Sequence, residues 1–231
     1  MRRYAFTLVE LLCVIAVIAL MAGILISVAS KVRREVNRSK SINNMRSIAS
    51  AMLVYSGDHD GRLPMQGNNP PTGTGEPENT GTTPDYWATA LNPYLDSSDP
   101  NLRTSKHPIY EDPFCEESAG HPISDYGVNT RIVRSPSDGG ALPVASIQDP
   151  ARKILLVPAE SMSSDRATWY LRRDYDTQDG DDAAGGGNNR PSQRGNPGYI
   201  LCVFVDGHTA MLPVESLNSS EDKQKYFRPE L

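Results

Sequence analysis

The sequence predicts an α+β fold in which one long N-terminal helix is followed by a small antiparallel sheet with long loops. Residues 6–57 contain no proline, and they carry an apolar run followed by apolar residues at intervals of three and four, which is the helical period. Further along the chain, short apolar runs and an Asp-Gly pair between two of them predict strands and a hairpin. Helix and strands are therefore segregated along the chain.

The apolar run extends from Phe6 to Ala29, and Glu10 is the charged residue within it. About 20 helical residues cross a hydrocarbon core of ~30 Å, so residues 6–29 are predicted to form a transmembrane helix. A secretory signal peptide is the alternative. The run is longer than the apolar part of a typical signal peptide, and no clear small-x-small cleavage site closes it.

Residues 30–57 are predicted to continue the helix in amphipathic form. Charged residues occupy the other faces of this stretch, and the turn-rich residues 57–61 end it. The apolar positions that recur at helical spacing are Val32, Ile42, Met45, Ile48, Ala49, Met52 and Tyr55.

Residues 58–231 are predicted to form a loop-rich α+β domain, because the chain holds 18 glycines and 18 prolines. Residues 66–85 are expected to form an exposed loop. The predicted elements are a short helix within 86–95, strands at 130–133 and 153–157, and a hairpin of 199–205 and 208–212 with a type I′ turn at Asp206-Gly207.

Composition and motifs argue against several functional classes. The formal net charge is -5, and the basic residues form only short groups, so nucleic acid is not an expected partner. The sequence has no HExxH zinc motif and no GxSxG nucleophile motif, and its Gly-rich stretch at 185–187 does not fit a phosphate-binding loop. A structural role rather than an enzymatic one is therefore predicted.

An acidic stretch offers a candidate metal site. Closely spaced carboxylates on a loop can bind Ca²⁺, although this stretch lacks the closing Glu of an EF-hand. The alternative is a solvated acidic loop. The candidate ligands are Asp174, Asp176, Asp179, Asp181 and Asp182.

Two of the three cysteines, Cys115 and Cys202, lie in the domain and could form a disulfide if the domain is exported. The alternative is a pair of buried free thiols.

The first residues carry a specific resemblance. The sequence Arg2-Arg3-Tyr4-Ala5, followed by Phe6-Thr7-Leu8-Val9-Glu10, resembles the leader and first residues of type IV prepilins and type II secretion pseudopilins. The resemblance implies a cytoplasmic leader of residues 1–5, cleavage between Ala5 and Phe6 by a prepilin peptidase, and methylation of Phe6. The family usually has Gly at the position of Ala5.

The resemblance also implies what the helix does. Glu10 would pair with the free amino terminus of a neighbouring subunit during assembly, which supplies the partner that an intramembrane carboxylate needs. The chain would be a single-pass protein of the bacterial inner membrane, with its N-terminus in the cytoplasm and its domain outside. The charges flanking the helix do not by themselves favour this orientation.

The second half resembles prepilin-like proteins whose C-terminal domain is named for an H-x9-DG pattern. Short motifs such as 126–129 (YGVN) and 204–208 (FVDGH) carry this resemblance, but the position of the pattern's His holds Asn196. The sequence therefore predicts a structural subunit of a pilus-like or secretion filament. The alternative is a membrane-anchored binding domain that does not polymerise.

Overall fold

The computed structural model describes most of the chain and divides it into two compact units, residues 1–39 and 40–231. The residues that the structure describes are 8–65, 87–95, 108–115, 124–134, 139–160, 170–171, 190–191, 193, 195–217 and 220–229. The predicted loop at 66–85 lies outside these residues.

Helix α1 runs from Leu8 to Asp58 and confirms the long N-terminal helix. Its end is set by backbone geometry: Asp60 and Gly61 adopt positive φ angles of 52° and 74°. The Gly61 N–H donates to the Ser56 carbonyl at 2.8 Å, which satisfies one of the last carbonyls of the helix. The predicted helix end near residues 57–61 is therefore confirmed.

The second unit contains a sheet. Its strands are β1 Tyr126–Asn129, β2 Ile154–Glu160, β3 Tyr170–Leu171, β4 Arg190–Pro191, β5 Tyr199–Phe204 and β6 Thr209–Pro213. The strand order is β3-β1-β2-β5-β6, and β4 pairs with β2. The pairs β1·β2, β2·β5 and β5·β6 are antiparallel, and the two-residue strand β3 is parallel to β1. The predicted small antiparallel sheet is thus confirmed.

Two short helices accompany the sheet, α2 at Trp87–Ala90 and α3 at Ser220–Phe227. A 3-10 turn at Asn92–Tyr94 follows α2, so the predicted short helical element in this part of the chain is confirmed. Trp87 is fully buried and packs edge-to-face on Tyr110, with ring centroids 5.6 Å apart.

The predicted strand at residues 130–133 is wrong. The strand lies four residues earlier, at Tyr126–Asn129, and a turn follows it. The Asn129 carbonyl accepts hydrogen bonds from the N–H groups of Ile132 and Val133, at 3.0 and 2.8 Å. These local bonds close a turn and take the carbonyl out of the sheet ladder.

The hairpin is confirmed, but its predicted type I′ turn is wrong. Phe204 donates its N–H to the His208 carbonyl at 3.0 Å, so three residues, 205–207, form the loop. Gly207 alone among these three has a positive φ, 86°. A type I-like turn followed by a left-handed glycine replaces the two-residue turn, and this loop also follows the twist of the strands.

Both faces of the sheet are covered. Strand β5 alternates in register: Leu201 and Val203 face a cluster that includes the buried residues of α1, whereas Ile200 and Cys202 face a second cluster that includes Phe227 of α3. The buried α1 residues of the first cluster are Met45, Ile48, Ala49, Ala51, Met52 and Tyr55. Of the apolar α1 positions predicted from spacing, Val32 is exposed and Ile42 is only partly buried.

Helix α3 is held by polar groups that reach its last carbonyls. The Asn129 amide donates to Ile154 and Phe227 carbonyls at 2.8 and 2.9 Å. The buried Lys153 ammonium donates to the Lys225 carbonyl at 3.0 Å. A cation at the C-terminus of a helix also opposes the negative end of its dipole.

Candidate functional site

The candidate site begins with the stretch of α1 from residue 8 to residue 28, called here the anchor segment. Fourteen large apolar side chains of this segment are exposed, by fractions between 48% and 80%. They are Leu8, Val9, Leu11, Leu12, Val14, Ile15, Val17, Ile18, Leu20, Met21, Ile24, Leu25, Ile26 and Val28.

These side chains surround the helix rather than forming a stripe. Consecutive residues of a helix are turned by about 100°, so the exposed pairs Leu11-Leu12 and Ile24-Leu25 already point in different directions. A helix that is apolar all round is a buried helix or a membrane span. The described residues of this unit leave the anchor segment uncovered, so its apolar surface is suited to contact with lipid or with other chains.

The anchor segment has the length that a bilayer requires. Its 21 residues extend over about 31 Å, which matches a hydrocarbon core of ~30 Å. Within the part of the chain that the structure describes, one helix, Leu8–Asp58, is long and apolar enough to cross a membrane.

Glu10 lies in the first turn of α1, at the start of the anchor segment, and is exposed. A carboxylate in the first turn is favoured by the positive end of the helix dipole, by about 0.3–1 kcal/mol. Within lipid it costs several times more, about 3 kcal/mol on insertion scales. The helix dipole alone therefore does not compensate for this position, and a cationic partner would.

The predicted cleavage site and the predicted metal site are not among the residues that the structure describes. Ala5 and Phe6 lie outside the described residues, and so does the predicted calcium loop with Asp174, Asp176, Asp179, Asp181 and Asp182. Among the described residues, no group of three or more His, Cys, Asp or Glu side chains could hold a metal ion.

Of the two alternatives stated for Cys115 and Cys202, a disulfide or free thiols, the structure has free thiols. Cys115 and Cys202 are both free thiols, and Cys202 is fully buried in the cluster that includes Phe227. Cys115 instead follows a turn in which its N–H donates to the Asp112 carbonyl at 2.8 Å. Burial raises the pKa of the Cys202 thiol, which disfavours the reactive thiolate.

Sequence reasoning missed a buried polar network between α1 and β1. Asp112 and Asp125 are 3% and 1% exposed, and the Asp125 carboxylate accepts the Asp112 N–H at 2.8 Å. The Tyr126 hydroxyl donates to the Glu111 carbonyl at 3.2 Å and lies 3.4 Å from the Ser41 hydroxyl. No motif marks these residues, because the contacts join positions that are far apart in sequence.

The network has an electrostatic consequence. Burial, followed by the nearby charge of Asp112, raises the pKa of Tyr126 well above its usual value. Burial likewise raises the pKa of Tyr110. Both phenols therefore stay neutral, and the network serves to hold the 108–115 segment against α1 and β1.

Comparison with known proteins bears on the anchor segment. Residues 1–26 match the family model described as the prokaryotic N-terminal methylation motif. This is a prepilin-type N-terminus. The match spans the basic residues Arg2 and Arg3, Glu10 and most of the anchor segment, so from residue 8 to residue 26 it overlaps the exposed apolar surface. No curated protein and no solved structure matches the chain.

The prepilin-type motif implies processing by a prepilin peptidase and association with other pilin subunits. Together with a single apolar N-terminal helix among the described residues, it is consistent with a single-pass protein anchored in the inner membrane. The match ends at residue 26, so the H-x9-DG resemblance of the second half stays a prediction. Asp206 and Gly207 are accounted for by the hairpin turn.

Proposed function

We propose that the chain is a structural subunit of a type II secretion pseudopilus or a type IV pilus-like filament, cut between Ala5 and Phe6 and methylated on Phe6. One observation supports this proposal most strongly. From residue 8 onward, the methylation motif at 1–26 overlaps a helix whose apolar side chains are exposed all round over a bilayer's thickness.

Cleavage creates a cationic group that can pair with Glu10 of a neighbouring subunit. The cut removes Arg2 and Arg3 and creates a new amino group on Phe6, four residues before Glu10. In a filament, the amine of one subunit and the Glu10 carboxylate of its neighbour form an ion pair in a dry helix bundle. Methylation leaves the amine positively charged. Pairing offsets the cost of each buried charge.

The anchor segment then has two partners in turn. Before assembly it lies in the inner membrane, where lipid chains cover its apolar surface. After extraction, the anchor segments of other subunits cover it, and the domain of residues 58–231 forms the outer surface of the filament. Neither step needs a catalytic group in this chain.

Processing is the first test. Co-expression with a prepilin peptidase, followed by mass spectrometry of the intact protein, is expected to show loss of residues 1–5 and gain of one methyl group. Ala5→Gly is expected to process at least as fast as the parent, and Ala5→Leu to stay uncut. A parent chain that keeps Met1 and gains no methyl group would contradict the proposal.

Assembly is the second test. Glu10→Ala is expected to be processed normally but to enter filaments about tenfold less than the parent, which corresponds to ~1.4 kcal/mol of lost pairing. Glu35→Gln, on the same helix but beyond the apolar run, is the matched control and is expected to assemble normally. A processed parent that forms no filaments would contradict the proposed assembly and favour the alternative, an anchored binding domain that does not polymerise.

A further inference from the structure

A cluster of cations follows the anchor segment directly. Lys31, Arg33, Arg34 and Arg38, called here the basic collar, lie within ten residues of Val28 on the same helix. The first three of these side chains are exposed. Arg38 lies 3.9 Å from the Glu35 carboxylate, so the collar keeps a clear positive excess.

The collar stands out against the charge of the rest of the chain. Residues 1–39 carry six basic and two acidic side chains, a net charge of +4. Residues 40–231 carry a net charge of -9. Four of these six basic residues form the collar and the other two are Arg2 and Arg3, so positive charge is concentrated beyond the apolar run although the protein as a whole is acidic.

The position of the collar along the helix matches the headgroup layer. At 1.5 Å per residue, Lys31 to Arg34 lie about 5–9 Å beyond Val28. The headgroup layer of a bilayer is about 5–8 Å thick on each side. Long basic side chains can also extend back along the helix, so these three cations reach lipid phosphates when the anchor segment fills the hydrocarbon core.

The arrangement around the helix favours lipid over a protein partner. Lys31 and Arg34 are three residues apart and share a face, whereas Arg33 points about 160° away from Lys31. Before assembly, a single protein partner would contact one face of the helix. Lipids surround it, so cations on opposite faces can all bind headgroups at the same time.

We propose that the basic collar binds the phosphates of anionic phospholipids in the leaflet where the anchor segment leaves the hydrocarbon. Such binding fixes the depth of the helix before assembly. It also gives a role to cations at the end of the helix away from the cytoplasm, where the positive-inside rule does not favour them. The inference rests on the proposed function only in requiring that the anchor segment spans the membrane.

Spin-labelled lipids test the proposal on the full chain reconstituted in phosphatidylcholine bilayers. The fraction of motionally restricted label is measured for phosphatidylglycerol and for phosphatidylcholine. We expect the protein to prefer phosphatidylglycerol by about fivefold, the factor typical of one cation at an anionic surface. The preference is expected to disappear at about 1 M salt, where the screening length is ~3 Å.

Two triple variants locate the preference. Lys31→Gln/Arg33→Gln/Arg34→Gln is expected to bring the two lipids close to parity. Lys31→Arg/Arg33→Lys/Arg34→Lys preserves the charge and is expected to retain the preference. Arg2 and Arg3 are present in every variant, so the differences between variants report on the collar.

Three results overturn the proposal. One is a parent chain that resists alkaline extraction from the bilayer but shows no lipid preference, which leaves the proposed function intact. Another is a glutamine variant that keeps the lipid preference. If resonance energy transfer between fluorescently labelled copies of the protein is also lost in that variant, the collar binds a second copy of the chain rather than lipid. A parent chain that alkali extracts overturns the anchor as well as the collar.

Discussion

Two stretches of one helix use apolar residues in opposite ways. In the anchor segment, residues 8–28, large apolar side chains are exposed on every side. In the stretch from 41 to 56, called here the domain segment, Met45, Ile48 and Met52 are fully buried on one face. Backbone geometry is the same in both, so the pattern of side chains determines whether a stretch is covered by its own chain or by other molecules.

The largest test of this comparison uses two isoleucines. Ile48 has no exposed surface and Ile18 is 60% exposed. Ile48→Ala is expected to lower the free energy of unfolding of the domain by about 2–5 kcal/mol, because it leaves a cavity in the core. Ile18→Ala is expected to leave it unchanged within about 0.5 kcal/mol. Urea denaturation of the full chain in detergent, followed by tryptophan fluorescence, measures both.

Equal effects of Ile48→Ala and Ile18→Ala would contradict the distinction between the two segments. A large effect of Ile18→Ala alone would mean that the anchor segment packs on its own domain.

A smaller effect is expected from polar groups of the domain. Asn129 is buried and donates to two carbonyls, whereas Asn44, on the domain segment, is more exposed and donates to Glu111. Asn129→Ala is expected to cost about 2–3 kcal/mol, because it leaves two buried carbonyls without this donor. Asn44→Ala is expected to cost less than about 1 kcal/mol.

The same denaturation assay, combined with proteolysis of the C-terminus, checks this difference. If Asn129→Ala leaves α3 as protected from protease as in the parent, then the amide does not hold that helix in place.

Glycines extend the comparison to backbone conformation. Gly207 has a φ of 86°, whereas Gly57 lies in the last turn of α1, and an added Cβ there meets nothing within 4 Å. Gly207→Ala is expected to destabilise the domain by about 1–2 kcal/mol, because a side chain strains this conformation. Gly57→Ala is expected to stabilise it by about 0.5–1 kcal/mol. Thermal unfolding resolves the opposite signs.

The sequence predicted the parts of the fold that depend on local pattern. Helix α1 and the hairpin of β5 and β6 follow from period and turn chemistry, and both are confirmed. The sequence placed a strand at 130–133 instead of at Tyr126–Asn129, because the turn that occupies 130–133 depends on local hydrogen bonds that the apolar pattern does not reveal. The type I′ turn predicted at Asp206 was wrong for a related reason, since the turn type depends on backbone geometry that spacing does not contain. For the same reason the sequence left open whether Cys115 and Cys202 form a disulfide or stay free thiols.

The candidate site likewise contains a part that the sequence could predict and a part that it could not. The anchor segment could be predicted because its exposed surface follows directly from composition. The network around Asp112, Asp125 and Tyr126 could not, because its members meet only when α1, the 108–115 segment and β1 pack together.

That network makes the smallest and most specific prediction. Because the pKa of Tyr126 is raised in the folded state, its contribution to stability is fully present below the unfolded value near pH 10 and is lost as pH rises above it. Tyr126→Phe is expected to cost about 1 kcal/mol at neutral pH, through the lost hydroxyl bonds. Above about pH 10 it is expected to reduce the fall in stability by about 1.4 kcal/mol per pH unit.

Tyr199→Phe provides the control, because this tyrosine of β5 is 48% exposed and lies outside the network. Urea denaturation between about pH 9 and about pH 11 separates the two variants. A Tyr126→Phe curve that stays parallel to that of the parent over this range would show that the phenol ionises without unfolding the domain. In that case the contacts between Tyr126, Ser41 and Glu111 would not bind the domain segment to the sheet, and the apolar face of α1 alone would account for its burial.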